Sequence, residues 1–127
     1  MKKRKQKTGR GAQVELNFLE SLAKRMPGDS DILKALGDLY TKAGRWKDGL
    51  QVDLELSRIC AGEPLVWYNL ACSYALLNQP DDAFASLSRA VELGYSDLSW
   101  MGQDEDLSSI RADIRFVNLL KKMSRAL

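Results

Sequence analysis

The chain has 127 residues, 45% of them hydrophobic and 28% charged, a size and balance that suit one soluble domain with a modest core and argue against a second. It contains no histidine, which excludes Ser-His-Asp and Cys-His nucleophile machinery, His-ligated zinc and any imidazole acid or base. The net charge of +2 is unevenly placed: residues 1–10 carry six of the 19 basic residues and no acid, so 13 of the 19 face all 17 acids from residue 11 onward, a body of net −4.

The basic residues at the start are Lys2, Lys3, Arg4, Lys5, Lys7 and Arg10. With no large apolar side chain among them they cannot build a core, so residues 1–11 are expected to form a flexible arm that is either solvated or bound to an anionic partner such as nucleic acid or an acidic protein. Residues 1–5 look like the positive region of a signal peptide, but Glu15 and Glu20 fall where the apolar block belongs, so secretion is not expected. Ala12 to Pro27 follows with Val14, Phe18, Leu19, Leu22 and Met26 at helical spacing and Pro27 to close it.

The next helix is signalled by Asp29 or Ser30 at its start, by Ile32, Leu33, Leu36, Leu39, Tyr40 and Ala43 along one face, and by Gly44 after it. A further helix spans about Trp46 to Cys60, with Leu50, Leu54, Leu56 and Ile59 as its apolar set and Gly62 and Pro64 beyond its end. Pro64 then opens a helix that runs to about Leu77, because a missing N–H costs nothing in a first turn, and Asn78 suits a left-handed cap. Leu65 to Leu77 is the longest weakly polar stretch of the chain; it is too short to span a bilayer and is broken by Asn69 and Ser73. Pro80 opens the next helix, with Asp81 and Asp82 at the positive end of its dipole, Ala83, Phe84, Leu87, Ala90 and Val91 on its buried face, and Gly94 as its stop.

These helices repeat one another. Leu33-x-x-Leu36-Gly37-x-x-Tyr40 reappears 34 residues later as Trp67-x-x-Leu70-Ala71-x-x-Tyr74. Gly37 and Ala71, and again Gly49 and Ala83, are small where two helices of one hairpin must approach closely. In this combination of spacing, small residues and aromatics the chain resembles the tetratricopeptide repeat family over Ser30 to about Tyr95. The second unit fits the family pattern well, whereas the first has Gly49 in place of the usual alanine and Asp53 in place of the usual large apolar residue.

The resemblance implies an all-α fold, a right-handed α-solenoid of helix hairpins in a single domain over residues 12–127. Its parts would be a capping helix of a degenerate repeat (12–27), two repeats (30–62 and 64–95) and a helical C-terminal lid (96–127). The run from Gly94 to Phe116 resembles a segment that closes bacterial arrays of this family. It is expected to form a short helix near Asp97 to Met101, a turn near Asp106 to Ile110 and a last helix from about Ala112 to Arg125 that lays Phe116, Val117, Leu120 and Met123 over the preceding hairpin.

The family's usual binding surface, the inner helices of the hairpins, selects Asp31, Lys34, Asp38 and Lys42 from one hairpin and Leu65, Tyr68, Asn69, Cys72 and Leu76 from the next. The function implied is a non-catalytic adaptor, not an enzyme, that holds a peptide or helix of another protein there. Two bland readings compete: the charges form a solvated face, and the apolar residues pack beneath the lid. Of the chaperone-tail clamp known in this family only Asn69 has a counterpart, since Ala35 stands where a second asparagine belongs, so a heat-shock chaperone tail is not an expected partner. The alternative function is association with nucleic acid or a ribonucleoprotein through the basic arm.

No cofactor and no metal site are expected, because the glycines are scattered and form no phosphate loop. Asp104-Glu105-Asp106 offers carboxylates to a hard cation, but Arg111 and Arg115 are near enough in sequence to pair with some of Asp97, Asp104, Asp106 and Asp113, which makes cap and ion-pair roles the preferred reading. Cys60 and Cys72 form no metal or redox spacing and read as small core residues, with redox sensitivity at Cys72 the minority reading; a reducing, cytoplasmic setting follows.

Overall fold

A computed structural model describes residues 9–126 of the chain. The expectations for Lys2, Lys3, Arg4, Lys5 and Lys7 lie outside the described residues, but Arg10 does not join them: it begins the first helix. Among the described residues there are only helices and turns: α1 (Arg10–Arg25), α2 (Ser30–Lys42), α3 (Trp46–Ile59), α4 (Pro64–Leu76), α5 (Pro80–Glu92), α6 (Leu98–Gln103), a 3-10 helix (Glu105–Ile110) and α7 (Ile114–Ala126). The fold is therefore all-α. Through α5 each helix packs on the one before it; the 3-10 helix then folds back on α4, and α7 on α5 and α6.

The turns end where local chemistry ends them. Asp29 caps α2 by accepting from the Ile32 N–H at 3.1 Å, and Pro64 and Pro80 occupy the first turns of α4 and α5. Gly44 (φ 77°), Asn78 (φ 58°) and Gly94 (φ 111°) take up the left-handed conformation that lets the chain reverse after α2, α4 and α5. At the α2/α3 crossing a Cβ on Gly37 would sit 3.2 Å from Val52 Cγ1 and 3.3 Å from Asp53 Oδ1, and one on Gly49 would sit 3.3 Å from Thr41 Oγ1, so both positions need a small residue. Ala71 and Ala83 are fully buried in the cluster that α4 and α5 build together.

Two apolar clusters form the core. One joins Leu16, Leu36, Leu39, Tyr40, Val52, Leu56 and Val66 across α1 to α4; the other is built from α4 and α5 and closed by Tyr95, Met101, Leu107, Ile110, Phe116, Leu119 and Met123. Helix α4 contributes to both, which is why Leu65 to Leu77 reads as weakly polar on every side: it is the central helix, covered from several directions.

Several expected faces turn out rotated. In α1 the buried residues are Ala12 and Leu16, with Leu19 and Ala23 packed behind them, whereas Val14, Phe18 and Met26 are exposed. In α3 Val52, Asp53 and Leu56 point inward with Gly49, and Ile59 is exposed. In α7 Leu119 joins Phe116 and Met123 in the core and Val117 does not. The physical reason is common to the three: several apolar residues compete for a stripe narrower than the set, and only the facing helix decides which are covered.

Candidate functional site

A concavity lies between α2, α3 and α4, a pocket of about 240 Å³ lined by Lys34, Gly37, Asp38 and Thr41 of α2, Asp53 and Leu56 of α3, Glu63 at the start of α4, and Leu65, Val66, Asn69, Cys72 and Ser73 of α4. Its existence follows from small residues. Gly37 lets α2 approach α3 closely, and Ser73, a small buried residue of α4, bonds Asp53 of α3 at the lining.

Of the nine residues selected from the sequence, the pocket gathers Lys34, Asp38, Leu65, Asn69 and Cys72. Leu65 and Asn69 are exposed at its mouth. Lys34 bonds Glu63 across the rim at 2.9 Å, and this pair raises the lysine and lowers the glutamate from their ordinary pKa values. Asp38 pairs with Lys42 one turn on at 2.8 Å. These charges are thus answered inside the molecule rather than standing free. Asp31 is exposed in the first turn of α2, outside the lining, and Leu76, half-buried, is outside it as well.

Tyr68 requires a correction. Expected on an open inner face, it is 3% exposed, its ring stacked on Tyr95 with centroids 4.3 Å apart and its hydroxyl donating to Asp104 Oδ2 at 2.7 Å. Burial, above all, pushes its phenol far up and that of Tyr95 up to about 12. The Cys72 thiol is also buried, 3.9 Å from the same carboxylate oxygen. The surface of α4 is therefore divided: the C-terminal segment covers the Tyr68 side and the pocket keeps the Asn69 side.

Asp53 is the residue that the sequence reading left unassigned. It is 6% exposed on the pocket floor, and its Oδ2 accepts the Ser73 hydroxyl at 2.5 Å. Burial raises its carboxyl to about 6, only partly countered by the Ser73 hydrogen bond. The signal was present in the sequence, as an acid at a position where the repeat pattern asks for a large apolar side chain.

Beneath the C-terminal segment, Cys72, Asp104 and Asp106 bring one sulfur and two carboxylates within 4.8 Å of one another, the one described grouping with the composition of a metal site. Asp104 is already used as a hydrogen-bond acceptor there: Oδ2 takes the Tyr68 hydroxyl and Oδ1 the Asp106 N–H, so it caps the 3-10 helix. Of the expected ion pairs, that of Arg115 with Asp113 forms and that of Arg111 does not. Arg115 bonds Asp113 at 3.0 Å and reaches Asp81 of α5 at 2.7 Å, while its guanidinium lies 4.4 Å from the centroid of the Phe84 ring. Arg111 instead donates to the backbone carbonyl of Asp104, with its Nε buried and unpartnered, and Asp97 caps α6 through the Trp100 N–H.

No family model matches the chain. It is similar to a chloroplastic protein of Arabidopsis thaliana, 25% identical over 116 residues that cover 87% of this chain and 33% of the relative. The chain thus spans about a third of that protein's length. Among the described residues, no helix is long and apolar enough to cross a membrane.

Proposed function

We propose that the chain is a non-catalytic adaptor of the tetratricopeptide repeat type, a right-handed α-solenoid whose pocket between α2, α3 and α4 holds an extended peptide or helix of another protein in a reducing, cytoplasmic setting. The observation that carries the reading is the pocket itself, which collects five residues chosen from the sequence as inner-face positions and joins the two repeat units at their seam. Support for the repeat architecture comes from the 34-residue offset together with the buried small residues at equivalent crossings, Gly37 with Ala71 and Gly49 with Ala83. Cys60 and Cys72 form no disulfide, which agrees with a reducing compartment.

Leu65 is 62% exposed, so together with Asn69 it can be changed without disturbing either core cluster. Affinity capture from native cells is expected to lose its specific partner proteins when Leu65→Glu and Asn69→Arg are combined. Identical recovery by wild type and the double variant would remove the pocket from the reading.

A further inference from the structure

The pocket between α2, α3 and α4 has an uncompensated carboxylate at its floor. Four charged residues line it, Lys34, Asp38, Asp53 and Glu63. Lys34 pairs with Glu63, and Asp38 with Lys42; among the described residues Asp53 has no ion-pair partner, and no hydrogen bond but that from Ser73 reaches it. An ionised carboxylate accepts through both oxygens, so Asp53, which lines the cavity, keeps unused acceptor capacity at Oδ1. Leu56, Leu65 and Val66 supply apolar surface beside it. The volume of about 240 Å³, on the order of eight waters' share of the liquid, is room for one long side chain.

We propose that this pocket takes an arginine or lysine side chain of the bound peptide, its cationic head on Asp53 and its methylene stem against Leu65 and Val66; the proposal rests on the adaptor reading and specifies its ligand. Charge selects this occupant. An acidic side chain would meet an excess of carboxylates whose nearest base, Lys34, is already engaged, and an apolar one would bury Asp53 with no cation to answer it. A basic side chain converts the pocket's unmatched buried charge into a pair and keeps its own stem in apolar contact. Burial of the acid also fits a ligand-gated role, since the carboxyl that burial raises to about 6 is held in its charged form more firmly when a cation arrives.

The test is a phage-displayed random peptide library selected in parallel on the immobilised full chain, on Asp53→Asn, and on the blocked-mouth variant Leu65→Glu with Asn69→Arg. Wild type is expected to enrich peptides with a recurrent arginine or lysine that the other two do not enrich. A synthetic copy of the best peptide should bind wild type about ten-fold more tightly than its citrulline counterpart, and Asp53→Asn should bring that ratio close to one. The same preference should fade on wild type as pH falls through about 6, an arm that needs no substitution at Asp53. Lys34 and Asp38 of α2 and Glu63 and Cys72 of α4 face the same space, so the pH series is repeated with Asp38→Asn, where the loss should persist. Peptides that depend on the open mouth but bind equally with citrulline would overturn the basic-side-chain proposal and leave the adaptor reading standing. Enrichment indistinguishable between wild type and the blocked variant would overturn both.

Discussion

The Tyr68 hydroxyl donates to Asp104 Oδ2 at 2.7 Å across 36 residues of chain, and both side chains are buried, 3% and 5% exposed. The other oxygen of Asp104 holds the Asp106 N–H, so one carboxylate starts the 3-10 helix and fastens it to α4. A hydrogen bond to a charged group is worth about 1.5–3 kcal/mol, and its loss leaves a buried acceptor short of a partner. Tyr68→Phe, which keeps the ring on Tyr95, is expected to lower unfolding free energy by about that amount in urea titrations. A loss below about 0.5 kcal/mol would mean that this hydrogen bond does not help to hold the C-terminal segment on α4.

Close approach of paired helices gives a second expectation. Ala71 and Ala83 have no exposed surface, so Ala71→Leu or Ala83→Leu must push α4 and α5 apart and should destabilise the chain by roughly 1–3 kcal/mol. Ala85 lies on the exposed side of α5 and serves as the control; Ala85→Leu should change stability by less than about 0.5 kcal/mol in the same thermal or denaturant unfolding experiments. Equal effects at buried and exposed positions would remove the crossing argument.

That the small residues were legible at all reflects how much of this fold is local. Helix starts at Asp29, Pro64 and Pro80 and reversals at Gly44, Asn78 and Gly94 depend on backbone conformations that few residue types favour, and each was readable one residue at a time. The environment of Tyr68 was not. Periodicity assigns a residue to a helix face but is silent on what covers that face, and here the cover comes from Tyr95, just past the end of α5, and Asp104, between α6 and the 3-10 helix. Arg111 shows the same gap: its charge suggested a carboxylate partner, and geometry supplied a backbone carbonyl instead. At the pocket, the family resemblance pointed to α2 and α4, while its floor came from Asp53 on α3, a residue noticed only as a departure from pattern.

Asp53 makes stability pH-dependent, with a sign opposite to that of a salt-bridged acid. Its folded-state carboxyl sits at about 6 against 3.8 for the free group. Between these values the folded chain binds the proton that the unfolded chain has lost, so this group's contribution to stability declines as pH rises from about 4 to about 6 and is constant above and below. The full cost at neutral pH is about 3 kcal/mol. Asp53→Asn retains an acceptor for Ser73 without the charge, and is expected to be more stable than wild type at pH 8 by up to this amount and to match it near pH 4. Paired urea titrations at the two pH values measure the difference; a difference independent of pH would show that Asp53 does not titrate in this window.

The acids beneath the C-terminal segment yield the last expectation, that they serve the fold and not a metal ion. Cys72, Asp104 and Asp106 stand within 4.8 Å of one another, but calcium and magnesium prefer an all-oxygen shell of six or more ligands, and here one of three donors is a thiol. Asp104 would have to give up both the Tyr68 hydroxyl and the Asp106 N–H to offer its full acceptor capacity, which would break its tie to α4 and its cap on the 3-10 helix while the ion bound. Binding at roughly a hundred times Kd adds about 2.7 kcal/mol to stability, enough to move a melting temperature by many degrees in a chain of this size. Millimolar calcium or magnesium is therefore expected to leave the melting temperature unchanged in scanning fluorimetry of wild type. A rise of several degrees that disappears in Asp106→Asn would instead assign these carboxylates to the ion.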